Sequence, residues 1–190
     1  MDATGEITRL LDRMGEPGAE SAEVLDELMP LVYGELKTLA HNNRYRWHGR
    51  LSSGTTSLVH EAYARLARGE GAECDTRSQF FALASRVMRS ILIDNARWHS
   101  RQKRGGAAVP VSTSEVQMVS AERSEELLAL DEALGRLETD RPDLARVVEC
   151  RVFGGLTIPE ASDALGVSPA TIKRRWSLAT AWLYRQLQEG

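Results

Sequence analysis

The strongest constraint on the fold is a pair of helix signals that lie on either side of a short turn near the end of the chain. Thr157 and Glu160 have the spacing of a capping box, in which each side chain accepts a hydrogen bond from the backbone amide of the other residue. Gly166 can adopt the left-handed conformation that ends a helix. Ser168 is a favourable N-cap, and Pro169 fits the first position of a new helix. These signals predict two helices joined by a tight turn.

The second of these helices carries an apolar stripe beside a cationic face. The stripe recurs at helical spacing and consists of Ile172, Trp176, Ala179, Leu183 and Leu187. A short helix, a turn with glycine and a longer cationic helix together predict a helix-turn-helix, whose second helix enters the major groove of DNA. The alternative is an ordinary helical hairpin with a solvated basic face. Small residues at the helix crossing, Ala161 and Gly166, favour the DNA-binding interpretation.

Charge is segregated along the chain, although the net charge is only −3 at pH 7. Between Arg86 and Arg104 there are six basic residues and one acid, Asp94. Between Glu122 and Asp143 there are eight acids and three arginines. Binding to phosphate depends on the local field rather than on the net charge. The low net charge therefore does not exclude a nucleic-acid partner.

The rest of the chain predicts further helices and no strand. Apolar residues recur at helical spacing in segments 25–39, 58–66, 80–96 and 127–152. Residues 105–124 are rich in Gly, Pro, Ser, Thr and Val, and they interrupt this pattern. A segment of that length without periodicity either joins two domains or has a function of its own. We therefore predict an all-α fold of two small helical domains joined by a flexible linker, with the helix-turn-helix in the C-terminal domain.

The predicted boundaries are 1–104 for the N-terminal domain, 105–124 for the linker and 125–190 for the C-terminal domain. In the N-terminal domain a long helix is expected to begin at Ser21. Within this helix Pro30 is expected to be acceptable only near the first turns, because proline removes an amide donor and clashes with the preceding turn.

Two cationic and aromatic segments allow more than one interpretation. Residues 41–50 are either a solvated helix end with its loop or a contact surface. In the helix that begins near Ser78, Trp98 and His99 lie among several arginines. Basic residues interleaved with aromatic rings suit single-stranded DNA, because rings stack on unpaired bases while guanidinium groups hold the phosphates. An amphipathic bundle helix with a frayed basic end would show the same pattern.

The sequence predicts no catalytic residue, metal site or cofactor. His60 and Glu61 match the start of a zinc-protease motif, but Ala64 stands where this motif needs its second histidine. Cys74 and Cys150 lie far apart without metal-ligand spacing, so reduced thiols are expected. The chain has no apolar run of the ~20 residues that span a bilayer, and its N-terminus lacks a signal-peptide pattern. We therefore expect a cytoplasmic protein without a membrane partner.

Over almost its whole length the chain resembles bacterial RNA polymerase sigma factors of the extracytoplasmic-function group. Within that group it is most similar to the subfamily with a Leu-Val-His-Glu-Ala-Tyr helix, here residues 58–63. Residues 57–67 resemble the helix of the second conserved region that docks on the polymerase clamp. Residues 80–106 resemble the part of that region that melts and reads the minus-ten element. Residues 131–187 resemble the fourth region, which reads the minus-thirty-five element.

The resemblance implies core RNA polymerase and promoter DNA as partners, with an anti-sigma factor as a further candidate. It also implies a monomer when free and one copy in the holoenzyme, with the linker near the template channel. The residues that it implies for the minus-thirty-five element are Ser168, Ala170, Thr171, Lys173, Arg174, Arg175 and Ser177. Those that it implies for the minus-ten element are Arg86, Arg89, Ser90, Asn95, Arg97, Trp98 and Arg101. Those that it implies for polymerase binding are Leu58, Glu61 and Tyr63.

Two positions depart from the pattern of the group. The acidic run that usually precedes the clamp helix is replaced by Gly-Thr-Thr-Ser at 54–57, which predicts a less ionic contact with the polymerase. An asparagine that is common in the minus-ten helix is replaced by Ser90, which leaves the base preference open. The alternative function is a stand-alone regulator that binds duplex DNA without polymerase. An enzyme has no support, because the sequence shows no phosphate loop, no Cys–His pairing and no metal cluster.

Overall fold

The computed structural model describes residues 3–14, 21–48, 54–68, 74–103 and 119–189. Throughout these ranges the regular structure is helical, which confirms the predicted all-α fold. In chain order the elements are α1 (Ala3–Met14), α2 (Ser21–His48), α3 (Thr55–Ala67), α4 (Arg77–Lys103), α5 (Ala121–Asp140), α6 (Pro142–Val148), a π-helical turn (Glu149–Phe153), α7 (Ile158–Leu165) and α8 (Pro169–Glu189). The described residues up to 103 are referred to as the N-terminal half, and those from 119 onward as the C-terminal half.

The N-terminal half is built on the apolar faces that the helical spacing predicts. The buried face of α2 includes Leu25, Leu28, Val32, Leu36 and Leu39. The buried face of α4 includes Phe80, Leu83, Ala84, Val87, Ile91 and Ala96. Helix α2 packs against α1 and α3, and α3 packs against α4. Burial of each large apolar side chain contributes about 1.5–3 kcal/mol, so these faces hold the helices together.

Helix α2 is not interrupted by Pro30, although this residue lies well inside it. A proline in a helix removes one amide donor, and the carbonyl four residues earlier loses its partner. Here both Pro30 and Asp26, which carries that carbonyl, are exposed to water. Water can therefore replace the missing hydrogen bond, and the helix continues. The expectation that Pro30 is acceptable only near the first turns is wrong.

The polar segment at the end of α2 is a contact surface rather than a solvated helix end. Residues 41–48 are helical, and Asn43, Arg44 and Trp47 among them are buried. The side-chain amide of Asn43 donates to the carbonyl of Phe153, with 2.6 Å between nitrogen and oxygen. The Trp47 ring stacks on the Phe153 ring with a centroid separation of 6.4 Å. This segment therefore connects the two halves of the molecule.

The C-terminal half begins earlier than the sequence predicts. Residues 105–118 of the predicted linker lie outside the described residues, as do residues 49–50 of the polar segment. Helix α5 begins at Ala121, however, so the last residues of the predicted linker are helical. The hydroxyl of Ser120 caps this helix by accepting a hydrogen bond from the amide of Arg123 at 3.3 Å. The prediction depended on apolar periodicity. A cap can support a first helical turn that has no such periodicity.

The helix-turn-helix is formed by α7 and α8, as predicted. The amide of Thr157 donates to the Glu160 carboxylate at 2.8 Å, and the amide of Glu160 donates to the Thr157 hydroxyl at 3.4 Å. These two hydrogen bonds complete the capping box. Gly166 ends α7 in the left-handed conformation, with φ of 62°. In the apolar stripe of α8, Ile172, Ala179 and Leu183 are buried and Trp176 is half-buried, whereas Leu187 in the last turns is 46% exposed.

The two halves pack against each other, and their buried residues form one continuous core. Helix α4 lies at the centre of this arrangement, since it contacts α5, α7 and the π-helical turn. Gly154, directly after that turn, has no room for a side chain. A Cβ atom there would overlap the hydroxyl of Ser85 in α4 and the carbonyl of Cys150. This close contact between the halves was not predicted from the sequence.

Candidate nucleic-acid interface

The start of α8 presents polar and cationic side chains to solvent on a helix that is anchored from behind. Ile172 is fully buried beneath it. The hydroxyl of Ser168 accepts a hydrogen bond from the amide of the half-buried Thr171 at 3.2 Å and so caps the helix. The exposed members of the predicted minus-thirty-five site are Ser168, Ala170, Lys173, Arg174 and Ser177. Because they lie on the first turns of an exposed helix, they can reach base edges and phosphates of a duplex.

Arg175 faces the protein instead of solvent. Its Nε atom lies 3.2 Å from the carboxylate of Asp143 in α6. The hydrogen bond from Arg141 lowers the pKa of Asp143, and the charge of Arg175 acts in the same direction. On the neighbouring residue, the Trp176 ring lies 5.2 Å from the guanidinium of Arg151. Arg175 therefore holds α8 against α6 in this arrangement, and its contact with DNA stays a prediction.

The predicted minus-ten arginines of α4 face carboxylates of the C-terminal half. Nη2 of Arg89 lies 2.7 Å from Oδ1 of Asp131, and Nη1 of Arg89 contacts Glu149. Nε of Arg86 lies 3.7 Å from Glu149, and Nη2 of Arg97 lies 3.5 Å from Asp131. The side chains of Arg86 and Arg97 are 54% and 59% exposed, whereas that of Arg89 is 13% exposed. Arg89 thus lies inside the interface, and the other two arginines lie at its edge.

Two polar residues of the predicted minus-ten surface bond within the chain. The hydroxyl of Ser90 accepts a hydrogen bond from Nη1 of Arg65 in α3 at 2.8 Å. The side-chain carbonyl of Asn95 accepts a hydrogen bond from the amide of Val119 at 2.9 Å. In this arrangement both oxygen atoms bond within the chain, and the contact of Ser90 and Asn95 with unpaired bases stays a prediction.

The end of α4 retains the combination of groups that suits single-stranded DNA. Trp98 is half-buried, and its ring lies 4.8 Å from the ring of His99 in an edge-to-face arrangement. Arg101, one turn later, is exposed. An indole ring that is in part exposed beside cations can stack on an unpaired base while the cations hold phosphates.

The predicted polymerase-binding residues of α3 are only in part accessible. Leu58 is fully buried, so it packs in the core, and the expectation that it anchors a partner is corrected. Tyr63 is half-buried, and its hydroxyl donates to the carboxylate of Asp26 in α2, a hydrogen bond that raises the pKa of Tyr63. Glu61 is half-buried and accepts a hydrogen bond from Nε of Arg65 at 3.3 Å. Glu61 and Tyr63 thus remain the residues of this set that reach the surface.

Comparison with known families identifies the family of the chain. A sequence model of the ECF sigma factor family matches residues 4–189. The chain belongs to this family. It is therefore a sigma factor that directs promoter-specific transcription, and its family implies core RNA polymerase and promoter DNA as partners. Searches of curated proteins and of solved structures found no significant match.

The family is one of transcription initiation factors rather than of enzymes. Within the described part of this sigma factor, no group of three His, Cys, Asp or Glu residues is placed to hold a metal ion. Burial raises the pKa of Cys74 and of Cys150 to about 11, so both thiols are protonated at neutral pH. Among the described helices, none combines the length and the hydropathy needed to cross a membrane.

The sequence did not predict the carboxylates that lie against α4 in this sigma factor, Asp131 and Glu149. Glu149 is buried, and desolvation raises its pKa although the charge of Arg89 acts in the opposite direction. Asp131 belongs to the acidic segment 122–143, whose charge is opposite to that of the basic segment 86–104. This complementarity was a usable signal for Asp131. Glu149 gave none, because it lies outside the acidic segment and inside an apolar pattern.

Proposed function

We propose that this sigma factor docks on core polymerase through the surface around α3, reads the minus-thirty-five element with the start of α8 and melts the minus-ten element with α4. The observation that carries the proposal is the exposed polar start of α8, which is capped by Ser168 and anchored by the buried side chain of Ile172. The proposed domains are 1–104 and 125–190. The second is extended here to Val119, because α5 and its cap belong with it.

At the minus-thirty-five element, Lys173 and Arg174 would supply the cations. An arginine can form two parallel hydrogen bonds with the edge of guanine, and either residue can hold a phosphate. Base contacts specify a sequence, whereas phosphate contacts position the protein. The short side chains of Ser168, Ala170 and Ser177 lie on the same exposed turns and permit a close approach to the groove.

At the minus-ten element, Arg86, Arg97 and Arg101 would hold phosphates, and Trp98 would stack on an extruded base. Taking a base out of the duplex costs a few kcal/mol, which stacking and hydrogen bonds in a pocket counterbalance. Arg89 can join this surface once its carboxylate partners have moved away.

At the polymerase, Glu61 and Tyr63 would form the contact, with Leu58 supporting the helix from the core. Interfaces concentrate their energy in a few well-packed residues, for which Tyr63 is suited. An ion pair of Glu61 at a wet rim would add little. The resemblance further implies a monomeric free state, one copy in the holoenzyme, an anti-sigma factor as a candidate partner and action beside the cytoplasmic polymerase.

The test is transcription in vitro with core polymerase that lacks any sigma factor. The full chain and the core enzyme are incubated with a library of genomic fragments from the source organism, and the transcripts are sequenced. We expect transcripts to start downstream of one recurrent pair of motifs, and only when the protein is present. A parallel binding assay uses the same fragments without polymerase. Tight sequence-specific binding there, together with an absence of transcripts, would support the stand-alone regulator instead.

A further inference from the structure

The middle of α4, proposed to hold melted DNA, is covered by the C-terminal half. Nε and Nη2 of Arg89 both donate to Oδ1 of Asp131, at 3.1 and 2.7 Å. The remaining nitrogen, Nη1, contacts Glu149. The guanidinium also lies 5.8 Å from the centroid of the Phe153 ring. All three nitrogen atoms of this guanidinium are therefore engaged within the protein.

The carboxylates offer Arg89 the same chemistry as a DNA phosphate. Both groups are anions whose oxygen atoms accept paired hydrogen bonds from the planar fork of a guanidinium. A charge taken from water without such a partner is strongly unfavourable, so a largely buried arginine requires one. Asp131 and Glu149 occupy the donors that a phosphate would need. DNA and the two carboxylates therefore cannot bind Arg89 at the same time.

Hydrogen bonds away from these charges give the docking a defined geometry. Nη1 of Arg46 donates to the carbonyl of Val152 at 2.8 Å. The amide of Ser120 donates to the carbonyl of Trp47 at 3.1 Å. Together with the bond from Asn43 to the π-helical turn, these contacts fix that turn and the start of α5 against α2. The C-terminal half thus docks on the N-terminal half in a specific orientation.

The edge of the interface is open to competition. A cavity of about 540 Å³ lies between α4 and the C-terminal half, and its lining includes Arg86, Arg89, Arg97, Asp131 and Glu149. Because the outer arginines keep more than half of their side chains exposed, an incoming phosphate can reach them first. The inner arginine becomes accessible only when the halves separate.

We propose that the free chain is autoinhibited, with Asp131 and Glu149 holding the minus-ten face of α4 closed in place of DNA phosphates. The inference rests on the proposed role of α4 in binding melted DNA. Only the open fraction of such a chain can bind single-stranded DNA, so its apparent affinity is reduced by the closed fraction. Weakening the closure therefore raises the affinity without any new contact to DNA.

The closure can be measured on the full chain as the distance between two spin labels. The labels are attached at Ala22→Cys in α2 and Ala181→Cys in α8, which are exposed positions in the two halves. The native thiols of Cys74 and Cys150 are buried and protonated at pH 7, so they react slowly with the label. Pulsed electron–electron double resonance then measures the distance between the two labels, which shows whether the halves are docked.

The decisive variant is Asp131→Arg, which replaces a partner of Arg89 by a like charge. The matched control is Glu132→Arg, one residue later in the same helix. Glu132 is 72% exposed and pairs with Arg136 within α5, so the control carries the same change of net charge without touching α4. If Asp131→Arg does not fold, the neutral pair Asp131→Asn with Glu149→Gln removes the same contacts.

We expect Asp131→Arg to lengthen the label distance and to bind a fluorescent single-stranded DNA of random sequence about tenfold more tightly than the control does. The neutral pair should change both quantities in the same direction. A folded variant that keeps the label distance of the wild type would overturn the proposal, since the carboxylates would not hold the halves together. If the distance lengthens but DNA binding stays at the level of the control, α4 does not bind melted DNA. In that case the proposed role of α4 fails, and the autoinhibition fails with it.

Discussion

The start of α8 and the middle of α4 both place cations on the surface of a helix, but what lies opposite them differs. Lys173 and Arg174 face solvent, whereas Arg89 is 13% exposed and bound to Asp131. The first surface can meet a duplex without rearrangement, while the second must lose an intramolecular partner before it can meet DNA. Two helix faces of similar composition thus differ in availability, and the tertiary structure rather than the helix itself sets that difference.

The largest effect should come from weakening the packing between the two halves, because this packing covers the middle of α4. Phe153 is fully buried and stacks on Trp47 across the interface. Phe153→Ala should lower the free energy of unfolding by about 3–5 kcal/mol, measured by urea denaturation. The control is Tyr184→Ala, an exposed aromatic residue of the same half, which should change stability by less than about 0.5 kcal/mol. Equal effects of the two variants would contradict the burial of Phe153 at the interface.

Loss of the cations at the start of α8 should weaken DNA binding without changing how the two halves dock. In the double variant Lys173→Ala and Arg174→Ala, each lost base contact should weaken binding of the holoenzyme to upstream promoter DNA by about 1–3 kcal/mol, while a lost phosphate contact should reduce the salt dependence. Arg185→Ala, on the exposed later part of α8, is the control. Helicity by circular dichroism should stay the same in all variants. Normal promoter binding by the double variant would remove α8 from the reading role.

The exposed end of α4 should show a defect that depends on melting. Replacing Arg97 and Trp98 by Ala should slow formation of the open complex, because base–aromatic stacking contributes about 1–3 kcal/mol per base. A promoter with a pre-melted bubble should restore much of the loss, since unpairing is then already complete. The measurement is fluorescence of a base analogue in the minus-ten element. A defect that is equally severe on the bubble template would place the fault in polymerase binding or folding.

The smallest effect should come from the cap of α7, the helix that packs against α8. Thr157→Ala removes the hydroxyl of the capping box and should cost about 1 kcal/mol of stability at pH 7. The hydrogen bond from the Thr157 side chain lowers the pKa of Glu160. This contribution is therefore present above the ordinary pKa of a glutamate, and it is lost as the pH falls through the lowered value. Thermal unfolding at a series of pH values should show the two proteins converging in acid, and a constant difference would contradict the assignment.

The helices and the helix-turn-helix were predictable because their signals are local. The capping box needs two residues three positions apart, and the buried face of α4 repeats within one segment. The start of α5 was missed because its signals are not an apolar repeat. Ser120 caps the helix, Val119 is buried, and the amide of Val119 donates to Asn95, which is distant in sequence.

The candidate sites were harder to predict because neighbouring residues of one type can face opposite ways. Arg174 and Arg175 are adjacent on a cationic helix, yet the first is exposed and the second is bound to Asp143. Leu58 and Tyr63 both belong to the apolar pattern of α3, but Leu58 lies in the core and Tyr63 reaches the surface. Periodicity predicts which residues share a helix face. Which of these residues are exposed and can bind a partner depends on what packs against that face.

The π-helical turn makes the docking of the two halves depend on the length of the chain. Such a turn closes hydrogen bonds over one more residue than an α-helical turn does. Deleting one residue within Glu149–Phe153 would restore α-helical spacing and rotate α6 by about 100° relative to Gly154. Glu149 would then turn away from Arg89, although no charged residue had been replaced. Sigma factors that differ by a single residue between α6 and α7 therefore need not share this closed arrangement, even where they retain every arginine and carboxylate that forms it.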